Sequence, residues 1–189
     1  MENSGQAFDT ALQNAVQLHL SGDVDQAIGL YNALLDEHPN QPDLWHLLGI
    51  AAHQKDDNSL AVQLITMALS LKNNVADYHN NLGMALRGLG RESAAEQSFR
   101  SAIKLNPQHT RALSNLSSVC RHAGNTAAAL DYARQAAAIT DSDPEAYNNL
   151  GNAEKNAGLI DDSLASYQRA IELDPDFALA HWNLSLALL

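Results

Sequence analysis

Two kinds of polar side chain recur in this chain at a constant spacing of 34 residues. In three successive segments an asparagine is followed six residues later by a basic residue, and a fourth asparagine stands one interval further along. The asparagines are Asn81, Asn115, Asn149 and Asn183, and the basic residues are Arg87, Arg121 and Lys155. Because an amide both donates and accepts hydrogen bonds, a row of asparagines suits the backbone of an extended peptide, whatever its side chains. A row of cations attracts acidic side chains, so the pattern predicts recognition of a peptide.

The spacing belongs to a repeat that runs through almost the whole chain. Five segments align without insertion or deletion, and a sixth is partial. We predict a lead-in over residues 1–7 and one domain over residues 8–189. The domain consists of repeats 8–41, 42–75, 76–109, 110–143 and 144–177 and the partial repeat 178–189. Positions are counted from the first residue of each repeat. Such a repeat builds a solenoid in which each unit contacts only its neighbours.

Each repeat carries two apolar patterns of helical period. They predict one helix over positions 1 to 14 and a second over positions 18 to 31. Position 15 is glycine in four repeats and Asp56 in the second, which indicates a left-handed residue at the end of the first helix. Pro39, Pro107 and Pro175 at position 32 end the second helix, since proline lacks the N–H that a helix needs. The expected fold class is an all-α solenoid of antiparallel helix pairs.

The repeat resembles the tetratricopeptide repeat (TPR) family. The shared features are Leu-Gly at positions 7 and 8, alanine at 20 and 27, an aromatic at 24 and proline at 32. The resemblance implies a right-handed superhelix whose first helices line a concave groove. The asparagine row at position 6 resembles the ladder in the repeats of O-linked N-acetylglucosamine transferases, and residues 146–155 are the most similar copy. Asn152, at position 9 of the fifth repeat, is a further candidate groove residue beside the two rows.

Both rows also have a structural interpretation. Asparagines at one position can pair neighbouring repeats instead of binding a ligand. The basic residues stand at position 12, in the last turn of the first helix, where cations complement the helix dipole. His19 and His53 hold the same position in the first two repeats. The acidic residues at position 2 would complement the other end of the first helix. They are Asp9, Asp43, Asp77 and Glu145.

The composition restricts the partners. The formal net charge of −11 argues against nucleic acid and anionic membranes, which require a basic surface. No stretch reaches the roughly 20 apolar residues that span a bilayer, and the amino terminus lacks the pattern of a secretory signal. We therefore predict a cytoplasmic protein.

The residues that resemble catalytic or metal-binding groups have simpler interpretations. His46 and His53, with His19 in the preceding repeat, lack the spacing of a zinc site, and we expect them to be solvated groove residues. Cys120 falls in a packing column at position 11 and is expected to be a small core residue. No phosphate loop or nucleophile elbow is present. We predict that this chain alone is not an enzyme and carries no metal or cofactor.

Three functional hypotheses follow. The first is a protein-interaction module that binds an extended peptide in the groove. The second is the substrate-presenting arm of a larger, bacterial type of glycosyltransferase, with a catalytic domain beyond Leu189, because the segment after His181 resembles that junction. The third is a self-assembling scaffold, since the final helix leaves an apolar edge without a polar capping helix. That edge consists of Trp182, Leu186, Leu188 and Leu189.

Overall fold

The computed structural model describes the backbone from residue 2 to residue 189 and the side chains from residue 5 onward. Eleven α-helices and no strand occur in this described part. The helices are α1 (Glu2–Leu20), α2 (Val24–Glu37), α3 (Pro42–Gln54), α4 (Asn58–Leu71), α5 (Ala76–Gly88), α6 (Glu92–Leu105), α7 (Thr110–His122), α8 (Thr126–Ile139), α9 (Pro144–Asn156), α10 (Ile160–Leu173) and α11 (Ala178–Ala187). The predicted all-α repeat fold is confirmed.

The chain forms two compact units, Met1–Ala95 and Glu96–Leu189, with the boundary inside α6. In the first unit α1 packs on α2, α3 packs on α4, and α2 and α4 each pack on the first helix of the next repeat. In the second unit α7 packs on α8 and α9 packs on α10, while α9 also contacts α7 and α11. Each unit is therefore a stack of helix pairs in which the first helices of successive repeats are neighbours.

The turn between the paired helices has the same geometry in every complete repeat. The position-15 residue is left-handed, with φ of +60° at Asp56 and between +70° and +93° at the four glycines. The N–H of position 16 then donates to the carbonyl of position 11 at 2.9 Å, for example from Asp57 to Ala52. This bond satisfies a carbonyl that the helix end would otherwise leave without a partner. The predicted role of position 15 is confirmed.

The core of each pair depends on complementary size at positions 8 and 24. A Cβ on Gly49 would lie 2.5 Å from Ile65 Cγ1, and one on Gly151 would lie 2.6 Å from Tyr167 Cε1. The fourth repeat reverses the sizes, with the larger Ser117 at position 8 and the small, buried Ala133 at position 24. The Ser117 hydroxyl donates to the Ala129 carbonyl at 2.7 Å. The close approach of the paired helices therefore tolerates an exchange of volume between the two positions.

Two expectations about the first helices need correction. Helix α1 begins at Glu2, before the first repeat, so Asp9 lies in the helix interior and does not complement its amino terminus. Asp43, Asp77 and Glu145 do lie in the first turns of their helices. In the five complete repeats the first helices also end at position 13, one residue earlier than predicted, because the left-handed residue at position 15 stops the helical hydrogen bonding. The second helices run over positions 17 to 30, one residue earlier than the predicted 18 to 31 at each end.

Candidate functional site

The predicted recognition residues lie on the first helix of each repeat. The position-6 asparagines are half-buried on α5, α7, α9 and α11, and the basic residues occupy the last turns of α5, α7 and α9. Within each unit, we call the surface formed by positions 6, 9 and 12 of the first helices the first-helix face of that unit. Its members among the candidates are Asn81 and Arg87 in the first unit and Asn115, Asn149, Asn183, Asn152, Arg121 and Lys155 in the second.

In the first unit Asn81 is held by two hydrogen bonds. Its Nδ2 donates to Nε2 of His46 at 2.8 Å, and its Oδ1 accepts from Nδ2 of Asn80 at 3.1 Å. His46 stands at position 5 of the preceding repeat, so the contact connects α5 to α3. The pairing between neighbouring repeats, one of the two interpretations of this row, therefore occurs at Asn81.

His46 is buried, and the expectation that it is a solvated groove residue is wrong. Its ring lies 4.4 Å from the ring of Tyr78, centroid to centroid, and Tyr78 donates its hydroxyl to Asp43. Burial lowers the pKa of His46 from 6.5 to about 4, although Asp77 and Asp43 act in the opposite direction. The neutral ring can then accept the hydrogen bond from Asn81 at Nε2. Burial and the bond to Asp43 raise the pKa of Tyr78.

The histidines at position 12 are also engaged by neighbouring side chains. His19 is buried, with Nδ1 3.2 Å from the Tyr31 hydroxyl and Nε2 2.7 Å from Gln54 Oε1. The expectation that His19 is solvated is therefore wrong, because the Tyr31 ring and the next repeat cover it. His53 is half-buried, and its Nδ1 is 2.6 Å from Oδ1 of Asn58. The first two repeats thus use position 12 for internal contacts.

In the second unit the asparagine row repeats the register seen at Asn81. Asn183 donates from Nδ2 to Oδ1 of Asn148 at 2.9 Å, which is again a bond from position 6 to position 5 of the preceding repeat. Asn148 is buried, so its amide oxygen holds Asn183 at the end of the row. Asn149 is half-buried, and its amide makes no hydrogen bond within the described residues. Asn149 is therefore the row member with the most open hydrogen-bonding capacity.

In the second unit the candidate asparagine of the fifth repeat is bonded to a tyrosine. Tyr167 Oη donates to Asn152 Oδ1 at 3.0 Å. Burial raises the pKa of Tyr167 to about 12, and the positive charge of Arg121 opposes that rise. Arg121 is half-buried, with Nη2 3.5 Å from His122 Nε2, and Lys155 is half-buried one repeat further along. This part of the face is rich in hydrogen-bond donors.

The sequence reasoning missed Glu154, a buried carboxyl group at position 11 of the fifth repeat. Its Oε2 accepts from Ser166 Oγ at 2.6 Å, and burial raises its pKa above the ordinary value. The available signal was a charged residue in an otherwise apolar column that includes Leu86 and Cys120. Cys120 in the same column is buried, as predicted, and burial raises the pKa of its thiol.

Two further properties concern the described residues as a whole. No group of three histidine, cysteine, aspartate or glutamate side chains among them is arranged to hold a metal ion. Within residues 2–189 no helix combines the length and apolarity needed to cross a membrane.

The fold is similar to that of solved TPR proteins. TTC0263, a thermophilic TPR protein of Thermus thermophilus, matches with a TM-score of 0.79 at 22% identity over 96% of this chain and 98% of its own. YrrB, described as a TPR protein with an unusual peptide-binding site, matches with a TM-score of 0.67 at 20% identity over 91% and 89%. MamA matches with a TM-score of 0.71 at 23% identity over 92% and 95%. At these identities the likeness shows the fold alone.

Comparison of sequences gives the family. No curated protein sequence matches the chain significantly. Three family profiles, each described as a tetratricopeptide repeat, match residues 18–83, 80–144 and 144–177. Together they extend over residues 18–177, and their last boundaries coincide with the start of α9 and the residue before α11. The chain therefore belongs to the tetratricopeptide repeat family.

Proposed function

We propose that the chain is a protein-interaction module that binds an extended peptide segment along the first-helix face of a unit. The observation that carries the proposal is the common register of the position-6 amides, in which Asn81 and Asn183 donate to position 5 of the preceding repeat. An amide fixed in this way loses little conformational freedom when it binds a ligand. The protein would act by binding, with no catalytic step and no cofactor.

The remaining capacity of the amides suits a peptide backbone. Asn183 donates one N–H to Asn148, and its other N–H and its carbonyl oxygen would bind a ligand. Asn149 has both amide groups open. Asn115 is half-buried at the same position of α7 and would contribute a further contact. In the first unit Asn81 would contribute its second N–H, and Arg87 would favour acidic side chains. The peptide-binding site in YrrB, a protein of similar fold, supports this kind of ligand.

Selection from a random library of displayed dodecapeptides tests the proposal. A selected peptide would then be titrated against the full chain by fluorescence anisotropy. We expect Asn149→Ala to weaken binding about three- to tenfold at an unchanged melting temperature, because one net hydrogen bond contributes ~0.5–1.5 kcal/mol. Asn32→Ala, on the exposed surface of α2, is the matched control and should bind like the wild type. Equal affinity of Asn149→Ala and wild type, or no selected peptide, would refute the proposal.

Asn81→Ala should behave differently from Asn149→Ala. Removing the Asn81 amide leaves the buried His46 Nε2 without its donor, so we expect a loss of about 1–3 kcal/mol in the free energy of unfolding. Urea denaturation measures this loss directly. A stability equal to that of the wild type would show that the inter-repeat bond is not needed.

Self-association is a second candidate function, favoured by the exposed apolar side chains of the last helix. Trp182 is 63% exposed and Leu186 is 43% exposed on α11, and Leu188 and Leu189 follow them. Apolar surface of this kind tends to be covered by a partner. Light scattering after size-exclusion chromatography should show dimers that Trp182→Gln converts to monomers. A strictly monomeric wild-type chain at high concentration would exclude this candidate.

Two other expectations from the sequence stay predictions. They are the cytoplasmic location and the role as the substrate-presenting arm of a larger transferase.

A further inference from the structure

We infer that the second unit carries a receptor for one acidic side chain of the bound peptide, formed by Arg121, Asn152 and Lys155. The inference rests on the proposed peptide-binding function and adds the chemistry of the ligand, an aspartate or glutamate residue. The three side chains are half-buried on the first-helix face. They combine two positive charges with an amide, which together supply the donors that a carboxylate accepts.

The backbone brings the three residues to one place. Arg121 is in the last turn of α7 and Lys155 is in the last turn of α9, at the same position of successive repeats, and α7 packs on α9. Asn152 precedes Lys155 by three residues on α9, so the two side chains share a face of the helix. A ligand that lies across α7 and α9 would meet all three.

Tyr167 positions the amide of Asn152. Its hydroxyl donates to Asn152 Oδ1 at 3.0 Å, so the Nδ2 group of Asn152 is left to donate to a ligand. Arg121 is close enough to the same hydroxyl that its positive charge opposes the rise in the pKa of Tyr167. Tyr167 reaches this place because Gly151 offers no Cβ to its ring.

Two other arginines of the second unit have acidic partners, whereas the cations of this receptor have none in the part of the chain that the structure describes. Arg100 pairs with Glu96 at 2.7 Å and Arg169 pairs with Glu172 at 3.2 Å. Neither Arg121 nor Lys155 forms an ion pair within the described residues, although the chain has 22 acidic residues and only 11 Lys and Arg. The only polar contact of the Arg121 side chain in that part is with the ring of His122. A carboxylate from a ligand would supply the missing counter-charge.

The test compares the peptides that different variants of the full chain select from the same random dodecapeptide library. Wild-type protein should enrich peptides that contain aspartate or glutamate. A selected glutamate peptide should bind about tenfold more tightly than its glutamine version at low ionic strength, because a charged hydrogen-bond partner adds roughly this factor at a half-exposed site. The preference should fall as salt is added.

Three variants then assign the effect. Arg121→Gln with Lys155→Gln should reduce the preference for glutamate to about twofold or less. Arg169→Gln removes the same kind of charge from the exposed surface of α10 and should keep the preference. Tyr167→Phe keeps the ring that fills the core but removes the hydroxyl, so it should lower the preference while the glutamine peptide binds as before.

The outcomes separate this inference from the proposed function. If peptides are selected but show no acidic preference, or if the double variant keeps the preference, the receptor is wrong and the binding module stands. If the wild type selects no peptide, both fail. An unchanged preference in Tyr167→Phe would overturn the positioning role of the hydroxyl.

Discussion

The buried histidine of the first unit gives the chain a specific dependence of stability on pH. Burial lowers the pKa of His46 from 6.5 to about 4 in the folded protein. The unfolded chain therefore takes up a proton at a higher pH than the folded chain, and the free energy of unfolding falls as the pH drops from about 6.5 toward 4. Well above pH 6.5 the imidazole is neutral in both states and contributes no pH dependence.

The size of the effect follows from the two pKa values. With ~1.36 kcal/mol per pKa unit, the proton linkage of His46 alone lowers the free energy of unfolding by about 1.4 kcal/mol between pH 7.5 and pH 5.5. Protonation would also break the contact in which His46 Nε2 accepts from Asn81 at 2.8 Å. The lower value is set at pH 5.5 because the chain is expected to precipitate closer to its isoelectric point of about 4.9.

Urea denaturation of the wild type and of His46→Gln at both pH values isolates this contribution. Glutamine does not titrate, and its carbonyl can still accept from Asn81. The absolute stability of the variant should be lower because it loses the packing of the imidazole on Tyr78. Its change between pH 7.5 and pH 5.5 should nevertheless be smaller than that of the wild type by about 1.4 kcal/mol. Parallel pH dependences, within about 0.5 kcal/mol, would refute the assignment of the titration to His46.

Two further predictions concern the packing of the second unit. Gly151→Ala should lower the free energy of unfolding by about 1–3 kcal/mol, because its Cβ would lie 2.6 Å from a ring carbon of Tyr167. The control is Gly29→Ala in α2, where a Cβ would meet open space, and it should stabilise the chain by roughly 0.5–1 kcal/mol. Urea denaturation measures both effects, and equal stability changes in the two variants would contradict the prediction. Glu154→Gln should raise the melting temperature at pH 7.5 more than at pH 5, since the raised pKa of the buried carboxyl makes its ionisation costly, whereas the bond from Ser166 can be kept. A melting temperature that falls equally at both pH values would contradict that prediction.

The sequence predicted the helices well because their limits depend on local chemistry. The left-handed residue at position 15 was predicted from glycine, and Asp56, which holds the turn position in the second repeat, adopts the same conformation with φ of +60°. The second helices end before Pro39, Pro107 and Pro175, as expected from the missing N–H of proline. The start of α1 was misplaced because residues 2–7 precede the first repeat and so have no counterpart for comparison.

The candidate site was predicted less completely because burial depends on residues distant in sequence. His46 was expected in solvent, but Tyr78, contributed by the next repeat, covers its ring. The role of Asn81 as an inter-repeat donor was one of two open interpretations, and only its distance to His46 shows that this bond forms. Glu154 stands out in the sequence as a charged residue in an apolar column, but only the structure shows that it is buried and bonded to Ser166.

By itself, then, the sequence determined the repeat, the helix pairs, the family and the rows of asparagines and cations. These properties follow from periodicity and from the conformational preferences of single residues, which the sequence records directly. The tertiary structure alone decided which members of the rows are used internally. The amide of Asn81 is bonded to His46 while that of Asn149 stays open, and His19 is covered while Arg121 lies beside Tyr167. Hydrogen bonding and burial at these positions depend on side chains brought together from different helices, so residues of one type at one position of the repeat differ in their contacts.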